Sequence, residues 1–161
     1  VELSTVMALI LNVVSVVVAT SMIAAYGNYI VGNQLLNFYD SLSFCESSGT
    51  SLATIRTAED AESAHSVCVT AGSDGCWLGL NDLESAGNFV WVADDSSTSY
   101  TNWASGQPTQ DTSPAKDCVR LRAGSSAYWN VDNCGKSLRY PLCNSASSST
   151  ASSTSSTTTT S

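Results

Sequence analysis

The sequence predicts an extracellular α+β domain stapled by disulfides, with an apolar segment ahead of it and a Ser/Thr tail behind it. Three observations carry that expectation. Six cysteines fall in 161 residues, with no close C-x2-C or C-x4-C pair and a single histidine, His65. An even count in so short a chain reads as a disulfide framework made in an oxidising compartment, whereas a zinc site would show close Cys pairs. Helical periodicity gives way after about residue 76 to short strand-like runs, the order expected of an α+β domain. Composition then divides the chain at residues 1–27, 28–144 and 145–161, one domain with two appendages.

Residues 6–25 are apolar except for Asn12, Ser15, Thr20 and Ser21, a run long enough as a helix to cross a bilayer core. Glu2 stands where a secretory signal carries Lys or Arg, so the run is read as part of the mature protein. No positive charge flanks it, which does not favour a membrane anchor. A third reading is a helix that packs on copies of itself. Ser4, Ala8, Asn12, Ser15 and Ala19 recur at three- and four-residue spacings, which puts small side chains on one stripe where backbones approach closely. Anchor, assembly helix and signal remnant all stay open. In the assembly case Glu2 would pair with a neighbouring copy's amino terminus, because a buried carboxylate demands a partner.

In the middle region Asn33 is the expected cap of a helix that places Leu35, Phe38, Leu42 and Cys45 on one face. Gly49 stops it, and Leu52 to Ile55 reads as a short buried strand. Thr57 with Asp60 forms a capping-box signal for a second helix carrying Ala61, Ala64, His65 and Cys68. Strand patterns follow at Trp77–Leu80, Phe89–Val92, Cys118–Leu121 and Leu138–Cys143. The closing segment is Ser and Thr apart from Ala146 and Ala151, which predicts an unstructured tail able to carry O-linked sugars at Ser147, Thr150, Thr154, Thr157 and Thr158. No Asn-x-Ser/Thr sequon occurs.

Fourteen acidic against six basic residues give a formal charge of −8. Phosphate backbones require clustered Lys and Arg, so nucleic acid is excluded as an expected partner, and attraction to an anionic lipid surface is equally poor.

The spaced motifs of residues 28–144 together resemble the C-type lectin-like family. They are the helix cysteine Cys45 followed by Leu52-Ala53-Thr54-Ile55, and Trp77-Leu78-Gly79-Leu80. Asn102-Trp103, Gly106-Gln107-Pro108 and Trp129-Asn130 follow, ahead of Cys134 and Cys143. The resemblance implies two helices, two small antiparallel sheets and a long loop. It implies bridges Cys45–Cys143 and Cys118–Cys134, leaving Cys68 with Cys76.

Sugar-binding members of that family hold Ca2+ with oxygens flanking the loop proline, a Glu before the third core cysteine, and an Asn-Asp pair after the tryptophan. Here Gln107 and Asn130 suit those positions, but Thr109, Lys116 and Val131 replace oxygen-rich residues. Two carboxylates are lost and one ammonium is gained, against an ion that takes six to eight oxygens. Asp132 is one residue too far along and faces the other way in a strand. At the family's other calcium position Asp82 and Asp117 match, while Ala86 and Gln110 replace acids. Calcium at the usual sugar site is therefore not expected, and no cofactor is. Trp77, Trp91, Trp103 and Trp129 are read as core and loop braces.

Nothing supports catalysis. His65 has no nucleophile and acid to work with, and Asp94, Asp95 and Asp111 read as solvated loop acids. Two expectations remain. The first is an extracellular structural subunit that assembles into a filament or stalk through residues 1–27 and displays the lectin-like domain. The second is a membrane-tethered or secreted recognition module for a glycan or protein, working without calcium.

Overall fold

The computed structural model describes residues 28–72, 74–109 and 116–146. The stripe Glu2, Ser4, Ala8, Asn12, Ser15 and Ala19, the tail positions from Ser147 to Thr158, and Gln110 and Asp111 lie outside the described residues.

The described chain runs β1 (Tyr29–Val31), α1 (Phe38–Ser47), α2 (Ala58–Thr70), β2 (Gly75–Asn81), β3 (Val90–Trp91), β4 (Cys118–Arg122), β5 (Trp129–Asp132) and β6 (Tyr140–Asn144). Helix α1 begins four residues later than Asn33 promises. The Leu36 N–H donates to Arg139 O and Leu36 O accepts from the Arg139 N–H, both at 2.9 Å, which keeps the chain extended up to that point. Asn37 then becomes the cap, its Oδ1 accepting from the Asp40 N–H at 2.9 Å. Leu35, upstream of the cap, is exposed, and Phe38, Ser41 and Cys45 form the buried face. Helix α2 opens on the Thr57–Asp60 capping box and buries Ala61, Ala64 and Cys68.

Residues Leu52, Ala53 and Ile55 are fully buried, yet they add no full strand. They form an extended wedge instead: the Ala53 N–H donates to Leu142 O at 2.7 Å and Ala53 O accepts from the Gly79 N–H at 2.9 Å. Gly79 is a fixed requirement of that approach. A Cβ there would stand 2.9 Å from both Leu52 O and Val92 Cγ2.

Strand order is β1-β6-β2-β4-β5, with β3 also on β2. Two antiparallel pieces, β1/β6 and β3/β2/β4/β5, are joined by a parallel pairing of Cys76 with Tyr140 and Trp77 with Pro141, so the sheet is continuous and mixed. The larger core cluster lies between α2 and the sheet and includes Ile55, Leu78, Leu80, Trp91, Val119, Leu121 and Trp129. A smaller one joins Phe38, Leu52 and Trp77 to the cysteines of two bridges.

Three disulfides close the domain: Cys45–Cys143, Cys68–Cys76 and Cys118–Cys134, spanning 98, 8 and 16 residues. Loop-closure entropy grows with span, so opening each bridge by paired Cys→Ala substitution should cost about 4.7, 2.5 and 3 kcal/mol respectively. Urea melts of the three double variants under one condition check that order, with the Cys45/Cys143 variant melting first.

Candidate functional site

The long loop is built onto the start of β5. The Trp129 N–H donates to Asn102 O at 2.8 Å and the Ala104 N–H donates to Trp129 O at 3.0 Å, so Trp103 runs alongside Trp129 like a short parallel pair. Asn102 Nδ2 adds a bond to Ala127 O at 2.9 Å. The loop then turns through Gly106, at φ +78°, into a cis Gln107–Pro108 bond.

Of the expected calcium positions, Gln107 and Asn130 are half-buried and Val131 is buried, while Thr109 and Lys116 are exposed. Gln107 Oε1 accepts from the Val131 N–H at 3.0 Å, so this oxygen is engaged by the protein's own backbone. Asn130 Oδ1 is buried without a hydrogen-bond partner. Val131 brings a hydrocarbon, and Lys116 a positive charge, to positions where an ion requires oxygens. The residues present do not fit Ca2+ at this position. Asp132 is committed elsewhere: its carboxylate takes Arg139 Nη2 at 2.7 Å, lies 3.2 Å from Arg120 Nε and accepts from Ser137 Oγ.

At the other position Asp82 is 7% exposed and its Oδ2 accepts from the Gly87 N–H at 2.7 Å, whereas Oδ1 has no partner. The Asp82 N–H donates to Asp117 O at 3.0 Å, which brings the two acids together. Burial, and then the Asp82 carboxylate, push the Asp117 carboxyl above the usual range. Ala86 supplies no oxygen. Among the described residues no group of three or more His, Cys, Asp and Glu side chains converges as metal ligands would.

The tryptophans divide. Trp77, Trp91 and Trp129 are fully buried, with Trp77 Nε1 donating to Leu36 O at 2.9 Å. Trp103 is only partly buried. Its ring lies 5.7 Å from Trp129, edge to face, and 5.0 Å from Phe89. A cleft of about 280 Å3 opens over Phe89, Trp103 and Pro108, a feature the sequence reading missed because Phe89 was taken only as a strand residue. His65 has a simpler place: its Nε2 lies 2.8 Å from Gly124 O, tying α2 to the β4–β5 turn. Asp94 pairs with Arg56 on the surface, and the Ser96 hydroxyl, more than Arg56, holds its carboxyl below the usual range.

The Lectin C-type domain profile matches residues 34–145. The chain belongs to the C-type lectin domain family. It is similar to the human low affinity immunoglobulin epsilon Fc receptor, 40% identical over 74 residues, 46% of this chain and 22% of the receptor. It therefore spans well under half the length of that relative. Among solved structures it resembles the mouse scavenger receptor C-type lectin carbohydrate-recognition domain at TM-score 0.65 and 28% identity, covering 73% of this chain and 88% of that one. It also resembles the cow carbohydrate-recognition domain of CD23, solved in the presence of GlcNAc2Man3 oligosaccharide, at TM-score 0.63 and 28% identity, covering 73% and 85%. C-type lectin folds occur with and without calcium, since both Ca2+-dependent and calcium-independent type II antifreeze proteins share this fold.

The raised Asp117 carboxyl fixes the sign of one pH effect. A carboxyl held above its unfolded value favours the protonated fold, so its ionisation lowers stability as pH rises. Asp117→Asn should raise the melting temperature at pH 7 by on the order of a degree, and the gain should vanish as the pH falls below the carboxylate range. Paired thermal melts at neutral and acid pH check it.

Proposed function

We propose that the domain is a non-enzymatic extracellular recognition module, on a cell surface or secreted, that binds its glycan or protein ligand without calcium. The Gln107–Val131 hydrogen bond supports this reading, together with Lys116 and Val131 at the sequence positions where the family resemblance implies carboxylates. That bond takes one of the two lone pairs of the oxygen, and Val131 adds no oxygen of its own to a shell of six to eight. Here the loop is held in shape by bonds that need no metal, and the relatives are named as receptors and lectins.

The test is a calcium titration of the whole chain followed by thermal melting, with EGTA as the reference. An ion at ten times its Kd would add about 1.4 kcal/mol. The expected result is coincident melts at millimolar Ca2+, the range in which extracellular modules bind it. The triple variant Thr109→Asn, Lys116→Glu, Val131→Asp should gain a calcium-dependent shift. A wild-type chain stabilised by calcium overturns the reading.

A second reading concerns residues 1–27. Their small-residue stripe supports a role in holding copies together as a filament or stalk, in which the lectin domain is the displayed part. Ala8→Leu and Ser15→Leu should then abolish sedimentation of the native material while leaving the melting temperature of the head unchanged. Unaltered sedimentation removes the stripe as the cause of assembly.

A further inference from the structure

Arg120, Arg122 and Arg139, half of the chain's six basic residues, gather in one place. Strand register explains how. Cys118 lies opposite Asp132 and Arg120 opposite Asn130, while the Arg122 N–H donates to Tyr128 O at 2.9 Å. Arg120, Arg122, Tyr128 and Asp132 therefore share one face of the β4–β5 hairpin. The alternate residues Val119 and Leu121 enter the core beneath α2, so this face is the one turned away from that helix. Gly75 stands opposite Arg122, and a Cβ there would come 3.0 Å from Arg120 Nη1, so the guanidinium uses space that a side chain would fill. Arg139 arrives from the segment ahead of β6, held by its two backbone bonds to Leu36.

Two carboxylates meet these arginines, on unequal terms. That of Asp132 is 19% exposed, 2.7 Å from Arg139 Nη2, and 3.2 Å from Arg120 Nε without the alignment of a hydrogen bond. That of Asp74 is 69% exposed and straddles the same pair more loosely. Its Oδ1 is 3.5 Å from Arg139 Nε and its Oδ2 3.9 Å from Arg120 Nη1. Both distances exceed the roughly 2.7–3.2 Å of an N–H···O bond. Arg120 Nε and Arg139 Nε are accordingly buried with no hydrogen-bond partner. The Asp74 backbone, by contrast, is fixed, its O accepting from Arg120 Nη1 at 2.9 Å. The side chain can leave while the chain stays. Three cations face two carboxylates here, a local positive excess in a chain of charge −8. Burial, and then Arg139, hold the Arg120 guanidinium below its ordinary value, a crowding that an added anion relieves.

We propose that Arg120, Arg122 and Arg139 form a docking site for a carboxylate on an acidic peptide segment of a partner protein, which displaces the Asp74 side chain and bonds to the two arginines it straddles. Asp74 is then an internal stand-in: it marks the seat and competes for it. The planar guanidinium fork matches the two oxygens of a carboxylate. Tyr128 and Leu138, 44% and 50% exposed, adjoin Arg122 and Arg139 and offer apolar contact to the neighbouring peptide side chains. This surface goes beyond the reading of the long loop and does not depend on it.

The experiment measures the fluorescence anisotropy of labelled hexaglutamate on the whole chain, in EGTA at low ionic strength, with hexaglutamine as the uncharged control. The native chain should bind hexaglutamate and not hexaglutamine. Asp74→Asn removes the competitor and should bind about five-fold tighter, the most that an exposed ion pair contributes. Glu59→Gln removes an equal charge from the exposed first turn of α2, on the other side of the sheet, and should bind as the native chain does. Arg122→Gln, at an exposed position, should weaken binding by about five-fold. Thermal melts confirm that each variant is folded. An equal gain in Glu59→Gln makes the effect one of net charge and overturns the site, as does native affinity in folded Arg122→Gln. Absence of hexaglutamate binding even in Asp74→Asn overturns it as well. Dextran sulfate bound with the same dependence on Asp74, where hexaglutamate is not, overturns the acidic peptide as the occupant. None of these outcomes bears on the calcium-independent reading, which the melts with and without the ion test separately.

Discussion

Everything in this domain is arranged around a strand with no exposed residue. All seven positions of β2, from Gly75 to Asn81, are buried. A buried backbone cannot leave its N–H and C=O groups to water, so both edges of β2 must be filled by protein. On one edge β4 does this almost alone. On the other, three different segments share the work. Strand β6 pairs at Cys76 and Trp77, the Ala53 wedge takes the Gly79 N–H, and the Val92 N–H donates back to Gly79 O beside β3. The separate antiparallel pieces become one sheet because this strand cannot tolerate a bare edge.

What could be read from the sequence was what is encoded locally. The Thr57–Asp60 box, the Trp77–Leu80 strand and the buried character of Leu52 to Ile55 all depend on residues a few positions apart. What could not be read depends on partners far along the chain. Asn33 and Asn37 both precede an apolar helical pattern, and the choice between them is made by Arg139 bridging to Leu36. Strand β1 is three residues long, too short for any period to register. Ala53 looks like a strand residue but bonds to Leu142 on one side and Gly79 on the other. The site follows the same rule. The loss of carboxylates at Lys116 and Val131 is a matter of residue identity, visible at once. The turning of Gln107 onto Val131, and the meeting of Phe89 with Trp103, are matters of folding.

The loop segment that leads to Pro108 is tied down by contacts of the protein's own. Trp129 pairs with it on both sides, Trp103 packs against Trp129 and Phe89, and Gln107 closes onto Val131. The Cys118–Cys134 bridge fixes the two ends of the β4–β5 hairpin on which all of this rests. Order built in by such contacts does not have to be created by a bound metal or ligand, which lowers the ordering cost of any association at this loop.

Strands β1 and β6 lie antiparallel with Tyr29 opposite Asn144, and the Ser145 N–H donates to Asn28 O at 2.7 Å, so the chain enters and leaves the domain at one point. Tension applied through the two ends would therefore open the β1/β6 ladder one hydrogen bond at a time. The peeling would stop at the covalent link between Cys45 and Cys143. Force would then pass through that sulfur bridge and bypass residues 46–142, which include the cleft and the whole long loop. A domain wired in this way keeps the sheet and the cleft beside Trp103 intact while it is being pulled.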